Sequence, residues 1–219
     1  MPVSFYYKGG KMVVASRNTD LHGYGEEIRG ELGRRIPRGK KLKVLDVGTG
    51  FGINVAFLAG WLSKGSAVWT VDPSKEVLAD VKAALDKEST RLVRFAVATA
   101  DDLDFGDGFF DVVVSVMVLH HIEKLQPALK EMARVLRPGG TLVIVDYKPE
   151  ASHQLEFRTR HEEADFFGPA AVVKGIGRLG MAGRSSDFGV WYLVEAKKEM
   201  PTLPRPAARG GPAKARAGR

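Results

Sequence analysis

A glycine-rich turn is the first stretch whose residue types could do chemistry. The apolar run Val44-Leu45-Asp46-Val47 leads into Gly48-Thr49-Gly50-Phe51-Gly52, and an apolar helical pattern follows from Ile53. This order predicts a strand, a tight turn and a helix. In such a turn, glycines let bare backbone N–H groups and a helix N-terminus approach a ligand that a Cβ atom would block. The stretch therefore predicts a site for a nucleoside-like cofactor.

The spacing of the glycines argues against two common nucleotide sites. A dinucleotide fingerprint has glycine at its first, third and sixth places, whereas the sixth place here holds Ile53. A P-loop requires a Gly-Lys-Ser/Thr sequence, which does not follow this turn. The cofactor is therefore expected to be a nucleoside of another kind.

A carboxylate stands at the end of the next predicted strand. Residues 67–72 are a short, mostly apolar run typical of a buried parallel strand, and Pro73-Ser74 opens the following helical pattern. An acidic side chain at this place can accept hydrogen bonds from both ribose hydroxyls of a nucleoside. Asp72 is therefore a candidate ribose ligand. The alternative is an N-cap for the helix that begins at Pro73, and the two roles are compatible.

Strand and helix patterns alternate along the rest of the chain. Predicted strands are residues 42–47, 67–72, 92–97, 112–117, 141–145 and 190–196, and predicted helices are 25–36, 53–62, 125–136 and 169–179. Such alternation predicts an α/β fold, in which right-handed crossovers build a parallel sheet with helices on both faces.

Composition restricts the class of protein. A chain of 219 residues with 44% apolar residues suits one globular domain. No apolar run is long enough to span a bilayer, and the N-terminal residues lack the order of a signal peptide, so we expect a cytoplasmic protein. The absence of cysteine excludes disulfides and thiolate chemistry, and the five histidines form no pair four residues apart. No protein-bound metal is predicted.

The net charge of +7 is unevenly distributed. Residues 201–219 contribute +5 with no acidic residue, which leaves +2 for the rest of the chain. Because this tail is rich in Pro, Gly and Ala, we expect residues 199–219 to be disordered. The tail could tether RNA or an acidic protein, or it could simply be solvated. A second basic cluster, Arg34 to Lys43, precedes the first sheet strand and should face away from the ligand edge.

Several motifs in a fixed order carry a family resemblance. They are the glycine turn after Asp46, the strand Phe110-Asp111-Val112-Val113-Val114-Ser115, the segment Val118-Leu119-His120-His121-Ile122, and the run from Ala128 through Val135-Leu136-Arg137-Pro138-Gly139-Gly140. Residues 42–145 resemble the class I S-adenosylmethionine-dependent methyltransferases, in the ubiquinone/menaquinone-methyltransferase-like (type 11) branch.

This resemblance implies a fold and a division of the chain. It implies a Rossmann-like, seven-stranded, mostly parallel sheet of order 3-2-1-4-5-7-6, whose last strand is antiparallel. The methyltransferase domain would span residues 1–198, with an N-terminal lid and helix in 1–40. The cofactor-binding core would be 41–147, and a helix and the final strands on the substrate side would be 148–198.

The resemblance also implies where S-adenosylmethionine binds. Asp46 lies close to the methionine part, Gly48, Thr49 and Gly50 pass under the carboxypropyl group, and Asp72 holds the ribose. Thr99-Ala100 replaces the family's usual Asp-Ala pair at the adenine, where a threonine hydroxyl can still accept the amino group's bond and Asp101 or Asp102 is the alternative acceptor. Residues from Ser115 to Met117 line the pocket, although Met117 could equally be core.

The catalytic assignment rests on position at the sheet edge. A general base is needed only if the acceptor must lose a proton. His120 and His121 follow the fourth strand, Asp146 and Tyr147 follow the fifth, and these are the candidates facing the mouth of the site. The alternative role for the histidines is helix capping or a hydrogen bond to a neighbouring loop.

The acceptor is expected to be a small molecule. Aromatic residues outside the core could form a lid over a flat or apolar acceptor, or could pack on the body; they are Phe5, Tyr6, Tyr7, His22, Tyr24, Phe157, Phe166 and Phe167. RNA or protein methylation is the rival within the enzyme class, supported only by the basic tail. A non-catalytic S-adenosylmethionine-binding protein and a nicotinamide dehydrogenase are rivals of other classes.

Overall fold

The computed structural model describes residues 24–150 and 166–200 in full and the backbone of residues 4–8 and 11–15. The strands are β1 Ser4–Lys8, β2 Lys11–Ala15, β3 Lys43–Val47, β4 Ala67–Asp72, β5 Val93–Val97, β6 Phe110–Val116, β7 Leu136–Tyr147, β8 Ala182–Asp187 and β9 Trp191–Lys197. The helices are α1 Gly25–Arg35, α2 Ile53–Trp61, α3 Lys75–Ala84, α4 Lys87–Leu92, α5 Leu125–Val135 and α6 Pro169–Gly177, with a 3₁₀ turn at Leu119–His121.

Strands β3 to β9 form one seven-stranded sheet of order β5-β4-β3-β6-β7-β9-β8. The pairs among β5, β4, β3, β6 and β7 are parallel, and β9 is antiparallel to both β7 and β8. Counted from β3, this order is 3-2-1-4-5-7-6. The predicted fold class, strand order and antiparallel last strand are confirmed.

Alternate residues of the central strands feed two separate cores, one on each face of the sheet. Leu45 and Val113 belong to a core packed by α5 and α6. Their neighbours Val44 and Val112 belong to a core packed by α1, α2 and α3. Burial on both faces explains why these strands read as continuous apolar runs.

The strand register brings the predicted site residues to one edge. Val47, the last residue of β3, is level with Val71 of β4 on one side and Ser115 of β6 on the other. The glycine turn, Asp72 and the residues after Ser115 therefore leave the sheet at the same end. Loops at this end of a parallel sheet form its ligand crevice.

An N-terminal hairpin is the main element that the sequence analysis missed. Strands β1 and β2 pair antiparallel from Ser4↔Ala15 to Lys8↔Lys11, in a stretch for which no strand was predicted. Gly9-Gly10 lies between them in the sequence and is a strong signal for a two-residue hairpin. Helix α4 was also missed, although Asp86 caps it by accepting from the N–H groups of Glu88 and Ser89.

Parts of the predicted lid and tail lie outside the described residues. These are the tail from residue 201, His22 and Phe157, together with the side chains of Phe5, Tyr6 and Tyr7. The predicted aromatic residues that are described, Tyr24, Phe166 and Phe167, pack against the two cores.

Candidate active site

A cleft of about 940 Å³ opens at the carboxyl edge of the sheet. It receives residues from the ends of β3, β4, β5, β6 and β7. Ten of the twelve predicted site residues line it: Gly48, Thr49, Gly50, Asp72, Thr99, Ala100, Asp101, Met117, His120 and His121. The other two, Asp46 and Ser115, are fully buried and are not among the lining residues.

The glycine turn is held closed by its own hydrogen bonds. The N–H groups of Gly48 and Thr49 both donate to the Val71 carbonyl oxygen, at 2.9 and 3.0 Å. The Gly50 N–H donates to Oδ2 of Asp72 at 3.2 Å. These three donors are therefore engaged within the protein, whereas the sequence analysis expected them to face the ligand.

The three glycines of the turn, Gly48, Gly50 and Gly52, are needed for two different reasons. All have positive φ, but a Cβ on Gly48 would lie 2.3 Å from Cγ2 of Val118, and one on Gly52 would lie 2.6 Å from Cγ1 of Val81. A Cβ on Gly50 would meet no described atom within 4 Å. Gly48 and Gly52 therefore make room for neighbouring protein, and Gly50 leaves room on the side of the cleft.

Asp72 is placed at the cleft but is not the helix N-cap. Its Oδ1 accepts from the Ser74 N–H at 3.0 Å, and Ser74 itself caps α3 by accepting from the Val77 N–H at 3.1 Å. The alternative role considered for Asp72 thus belongs to Ser74. The Asp72 carboxylate lines the cleft and is fixed by two backbone donors, the N–H groups of Gly50 and Ser74.

Asp46 lies beneath the glycine turn. Thr70 donates its hydroxyl to Oδ2 of Asp46 at 2.8 Å and shares a 2.6 Å hydrogen bond with Oγ1 of Thr49. The Oδ1 atom of Asp46 has no hydrogen-bond partner among the described residues. Burial raises the pKa of Asp46 to about 7, the bond from Thr70 opposes the rise, and the negative charge of Asp72 adds to it.

The loop after β5 is anchored by an arginine that sequence reasoning did not identify. Thr99, Ala100 and Asp101 line the cleft, and the chain then passes over α5. Arg134 of α5 donates to the carbonyl oxygens of Leu103 and Phe105, each at 2.7 Å. Its pairing with Glu131, and then with Asp107, raises the pKa of Arg134 above its ordinary value. Arg134 therefore fixes the segment that follows the predicted adenine contacts.

Met117 adopts a backbone conformation that is rare for its type. Its φ is +56°, the only positive value recorded for a non-glycine residue in the described part of the chain. Its N–H donates to the Val145 carbonyl oxygen at 2.8 Å, which holds the chain at the end of β6. Strained residues of this kind concentrate at functional sites.

A histidine and an aspartate form a buried pair on the other side of the cleft. Nδ1 of His120 lies 2.6 Å from Oδ1 of Asp146. His120 is only 4% exposed yet lines the cleft, and Asp146 lies behind it. His121 is exposed on the same cleft, with its ring centre 4.1 Å from that of His120. The alternatives considered for these histidines did not include this pairing.

The profile of the family described as "Methyltransferase domain" matches residues 45–144. This span begins in β3 and ends in β7, and it contains the glycine turn, Asp72 and both histidines. Residues 45–144, somewhat under half of the chain, thus match a methyltransferase domain. The predicted resemblance to class I methyltransferases is confirmed for this part of the chain.

Two curated methyltransferases are similar in sequence to part of this chain. The ubiquinone/menaquinone biosynthesis C-methyltransferase UbiE of Neisseria meningitidis serogroup C is 34% identical over 111 residues, which cover 49% of this chain and 45% of the relative. The demethylmenaquinone methyltransferase of Mycobacterium tuberculosis (strain ATCC 25177 / H37Ra) is 31% identical over 145 residues, covering 64% of this chain and 58% of the relative. The chain thus spans about half the length of these relatives.

Solved structures share the fold of the methyltransferase domain. The S-adenosylmethionine dependent methyltransferase of Mesorhizobium loti superposes with a TM-score of 0.66 at 18% identity, over 80% of this chain and 97% of that one.

Two classes of site are not found in the described residues. No helix there is long and apolar enough to cross a membrane. Nor do three or more His, Asp or Glu side chains of residues 24–150 and 166–200 converge on a possible metal position.

Proposed function

We propose that the chain is an S-adenosylmethionine-dependent methyltransferase that acts on a small-molecule acceptor. The observation that carries the proposal is the convergence of predicted cofactor residues from four strand ends on one cleft. The names of the relatives UbiE and demethylmenaquinone methyltransferase support a small, quinone-like acceptor. A cytoplasmic location remains a prediction of the sequence.

The cleft fits the parts of the cofactor in order. The Asp72 carboxylate, fixed by two backbone donors, is suited to accept hydrogen bonds from both ribose hydroxyls. The open space at Gly50 suits the methionine end. Thr99, Ala100 and Asp101 line the part of the cleft that we assign to the adenine, where Met117 would supply an adaptable apolar wall. Asp46 and Ser115 would support this site from beneath rather than touch the cofactor.

Methyl transfer requires mainly that the acceptor and the methyl group be held in the right relative position. When bound, S-adenosylmethionine supplies a methyl group that its positively charged sulfur already activates. The protein's task is then to hold the acceptor atom about 3 Å from that carbon, in line with the departing sulfur. We assign the acceptor to the part of the cleft lined by His120, His121 and Tyr147, beyond the ends of β6 and β7.

The alternative of RNA methylation gains little support from the described surface. In the basic cluster from Arg34 to Lys43, Arg34 and Arg35 pair with Glu31. Arg38 lies over the Trp61 ring at 3.6 Å, and Lys43 lies over the Phe109 ring at 4.2 Å. Many of these cations are thus engaged locally, at the sheet edge opposite the cleft. The basic tail, which lies outside the described residues, is the remaining candidate for such a partner.

Calorimetric titration of the full chain separates the classes of function. We expect S-adenosylmethionine and S-adenosylhomocysteine to bind and NAD to give no heat; binding of NAD instead would indicate a dehydrogenase. Transfer of a radiolabelled methyl group into a fractionated cell extract then distinguishes an enzyme from a binding protein. Label in the small-molecule fraction is expected, and label in RNA or protein would favour the alternative acceptors.

A further inference from the structure

The acceptor side of the cleft contains a histidine whose ring is fixed by a buried carboxylate. His120 and Asp146 are 4% and 1% exposed, and their Nδ1 and Oδ1 atoms are 2.6 Å apart. His120 lies in the 3₁₀ turn that follows β6, and Asp146 lies near the end of β7. Their pairing is therefore a product of the fold rather than of sequence proximity.

The Asp146 carboxylate is itself held by the main chain. Its Oδ2 accepts from the Leu119 N–H at 2.7 Å, and its Oδ1 accepts from its neighbour Tyr147's N–H at 2.7 Å. Both backbone donors are fixed by secondary structure, so the carboxylate has one orientation. It presents an accepting oxygen to His120.

This arrangement decides which ring nitrogen of His120 carries the proton. A carboxylate oxygen only accepts, so Nδ1 of His120 must donate. In the neutral ring, Nε2 is then the nitrogen able to take up a proton. The 3₁₀ turn that carries His120 lines the cleft, and the ring of Phe166 stacks near it, with ring centres 5.7 Å apart and planes 9° apart.

We propose that His120 is the general base of the reaction, that Asp146 is its positioning residue, and that the acceptor is a phenol- or enol-type hydroxyl. This rests on the proposed function. A thiol reaches its reactive anion without such a base, and an amine attacks as the neutral molecule, so a built base fits a weakly acidic O–H group. The buried carboxylate then stabilises the imidazolium that forms.

The proposed step moves one proton to His120 and one methyl group to the acceptor. The acceptor hydroxyl gives its proton to Nε2 of His120, and the electrons left on the acceptor form the new bond to the methyl carbon. The bond between that carbon and sulfur breaks, and its electron pair goes to sulfur. The proton on His120 later passes to water. The methyl group can end on the oxygen, or on a ring carbon activated by the phenolate; in the second case the ring carbon then loses its own proton to water and its electron pair restores the aromatic ring.

A first experiment examines the dyad without any substrate. Nitrogen-15 NMR of the full chain with labelled histidine reports the tautomer of each ring, and a His120→Gln variant assigns the His120 signals. We expect protonated Nδ1 and unprotonated Nε2 in the neutral ring, with this preference lost in Asp146→Asn. A protonated Nε2 in the neutral ring of the wild type, or an unchanged tautomer in Asp146→Asn, would overturn the positioning role.

A second experiment tests the base with the acceptor found by radiolabelled transfer. His120→Gln should lower kcat at least about 100-fold, because no base then takes the proton of the acceptor hydroxyl. Asp146→Asn should also lower kcat, while KM for the cofactor stays within about twofold. Glu88→Gln, which changes an exposed carboxylate of α4 outside the cleft, is the matched control. The labelled product should carry its methyl group on an oxygen or ring carbon.

Outcomes of these experiments separate the two proposals. Methylation of sulfur or of an amine, or an unchanged kcat in His120→Gln, overturns the base role and leaves the methyltransferase proposal standing. No transfer to any fraction overturns the proposed function and the base role together, while the NMR result still decides the dyad. S-adenosylhomocysteine affinity and thermal unfolding show whether each variant is folded, and His120→Gln provides the test if Asp146→Asn does not fold.

Discussion

The two halves of the cleft differ in what shapes them, mainly a backbone turn in one and mainly paired side chains in the other. At the ends of β3 and β4, the proposed cofactor half is shaped mainly by a backbone turn, with three positive-φ glycines whose missing side chains make room and main-chain N–H groups that hold the Asp72 carboxylate. At the ends of β6 and β7, the proposed acceptor half is shaped mainly by side chains, above all His120 paired with Asp146. A main-chain site restricts residue types at each position, so it leaves a motif in the sequence. A contact between side chains of distant segments can be built in many ways, so no local motif records which residues will pair.

The sharpest test of this difference is a side chain at Gly48. In Gly48→Ala the new Cβ would meet Val118 at 2.3 Å in a left-handed backbone, and we expect a loss of about 2–5 kcal/mol of unfolding free energy. Gly39→Ala is the matched control, because Gly39 has a φ of +81° and an added Cβ there would have no described atom within 4 Å. It should lose only about 1–2 kcal/mol. Chemical denaturation measures the unfolding free energy of both variants. Equal losses would show that the Val118 side chain moves aside at little cost.

The buried carboxylate beneath the cofactor half predicts a pH effect. Because the pKa of Asp46 is about 7 in the folded protein and near 3.8 otherwise, the folded state binds its proton more tightly than the unfolded state. Stability from this group is therefore present below about pH 4, falls as pH rises to about 7, and is constant above. Asp46→Asn should remove this fall, worth about 4 kcal/mol at most.

Denaturation curves of wild type and Asp46→Asn across pH 4 to 8 measure this effect. The difference in unfolding free energy between the two proteins should grow with pH up to about 7. A constant difference would mean that Asp46 is ionised throughout this range, with a partner for its Oδ1 atom.

Asp72 tests whether the cofactor half also depends on a charge. In Asp72→Asn we expect S-adenosylhomocysteine to bind about 10- to 100-fold more weakly, since hydrogen bonds to a charged group contribute about 1.5–3 kcal/mol. Calorimetric titration measures the affinity, with Glu88→Gln, which changes an exposed carboxylate of α4 outside the cleft, as the control. Unchanged binding to a folded Asp72→Asn protein would remove the ribose assignment.

The smallest effect is expected at Ser115. This residue is fully buried, and its hydroxyl has no hydrogen-bond partner among the described residues. Ser115→Ala should change stability by less than about 1 kcal/mol and leave S-adenosylhomocysteine affinity within about twofold. A tenfold weaker affinity would show that the hydroxyl reaches the cofactor, as the family resemblance implied.

The same contrast explains which features could be predicted from the sequence. The central strands and the glycine turn were predicted because double burial and tight turns both limit the choice of residue. The position of Asp72 at the cleft was predicted because it is the last residue of its strand. The pairing of His120 with Asp146 across 26 positions was not, since no local pattern records it.

Other features missed from the sequence also depend on contacts between distant segments. Nothing around Arg134 indicates that its guanidinium reaches the carbonyl groups of residues some thirty positions earlier. The depth of Asp46 depends on the turn folding over it. The hairpin β1–β2 is different, because its Gly-Gly signal was present in the sequence and was overlooked.

Val118 occupies the space that Gly48 leaves empty, and it stands two residues before His120. Val118 therefore couples the glycine turn, where the cofactor would bind, to the 3₁₀ turn that carries the proposed base His120. If the glycine turn shifts toward Val118, the 3₁₀ turn must shift as well. Variants that enlarge the turn should for this reason disturb the imidazole as well, although no atom of that ring was altered.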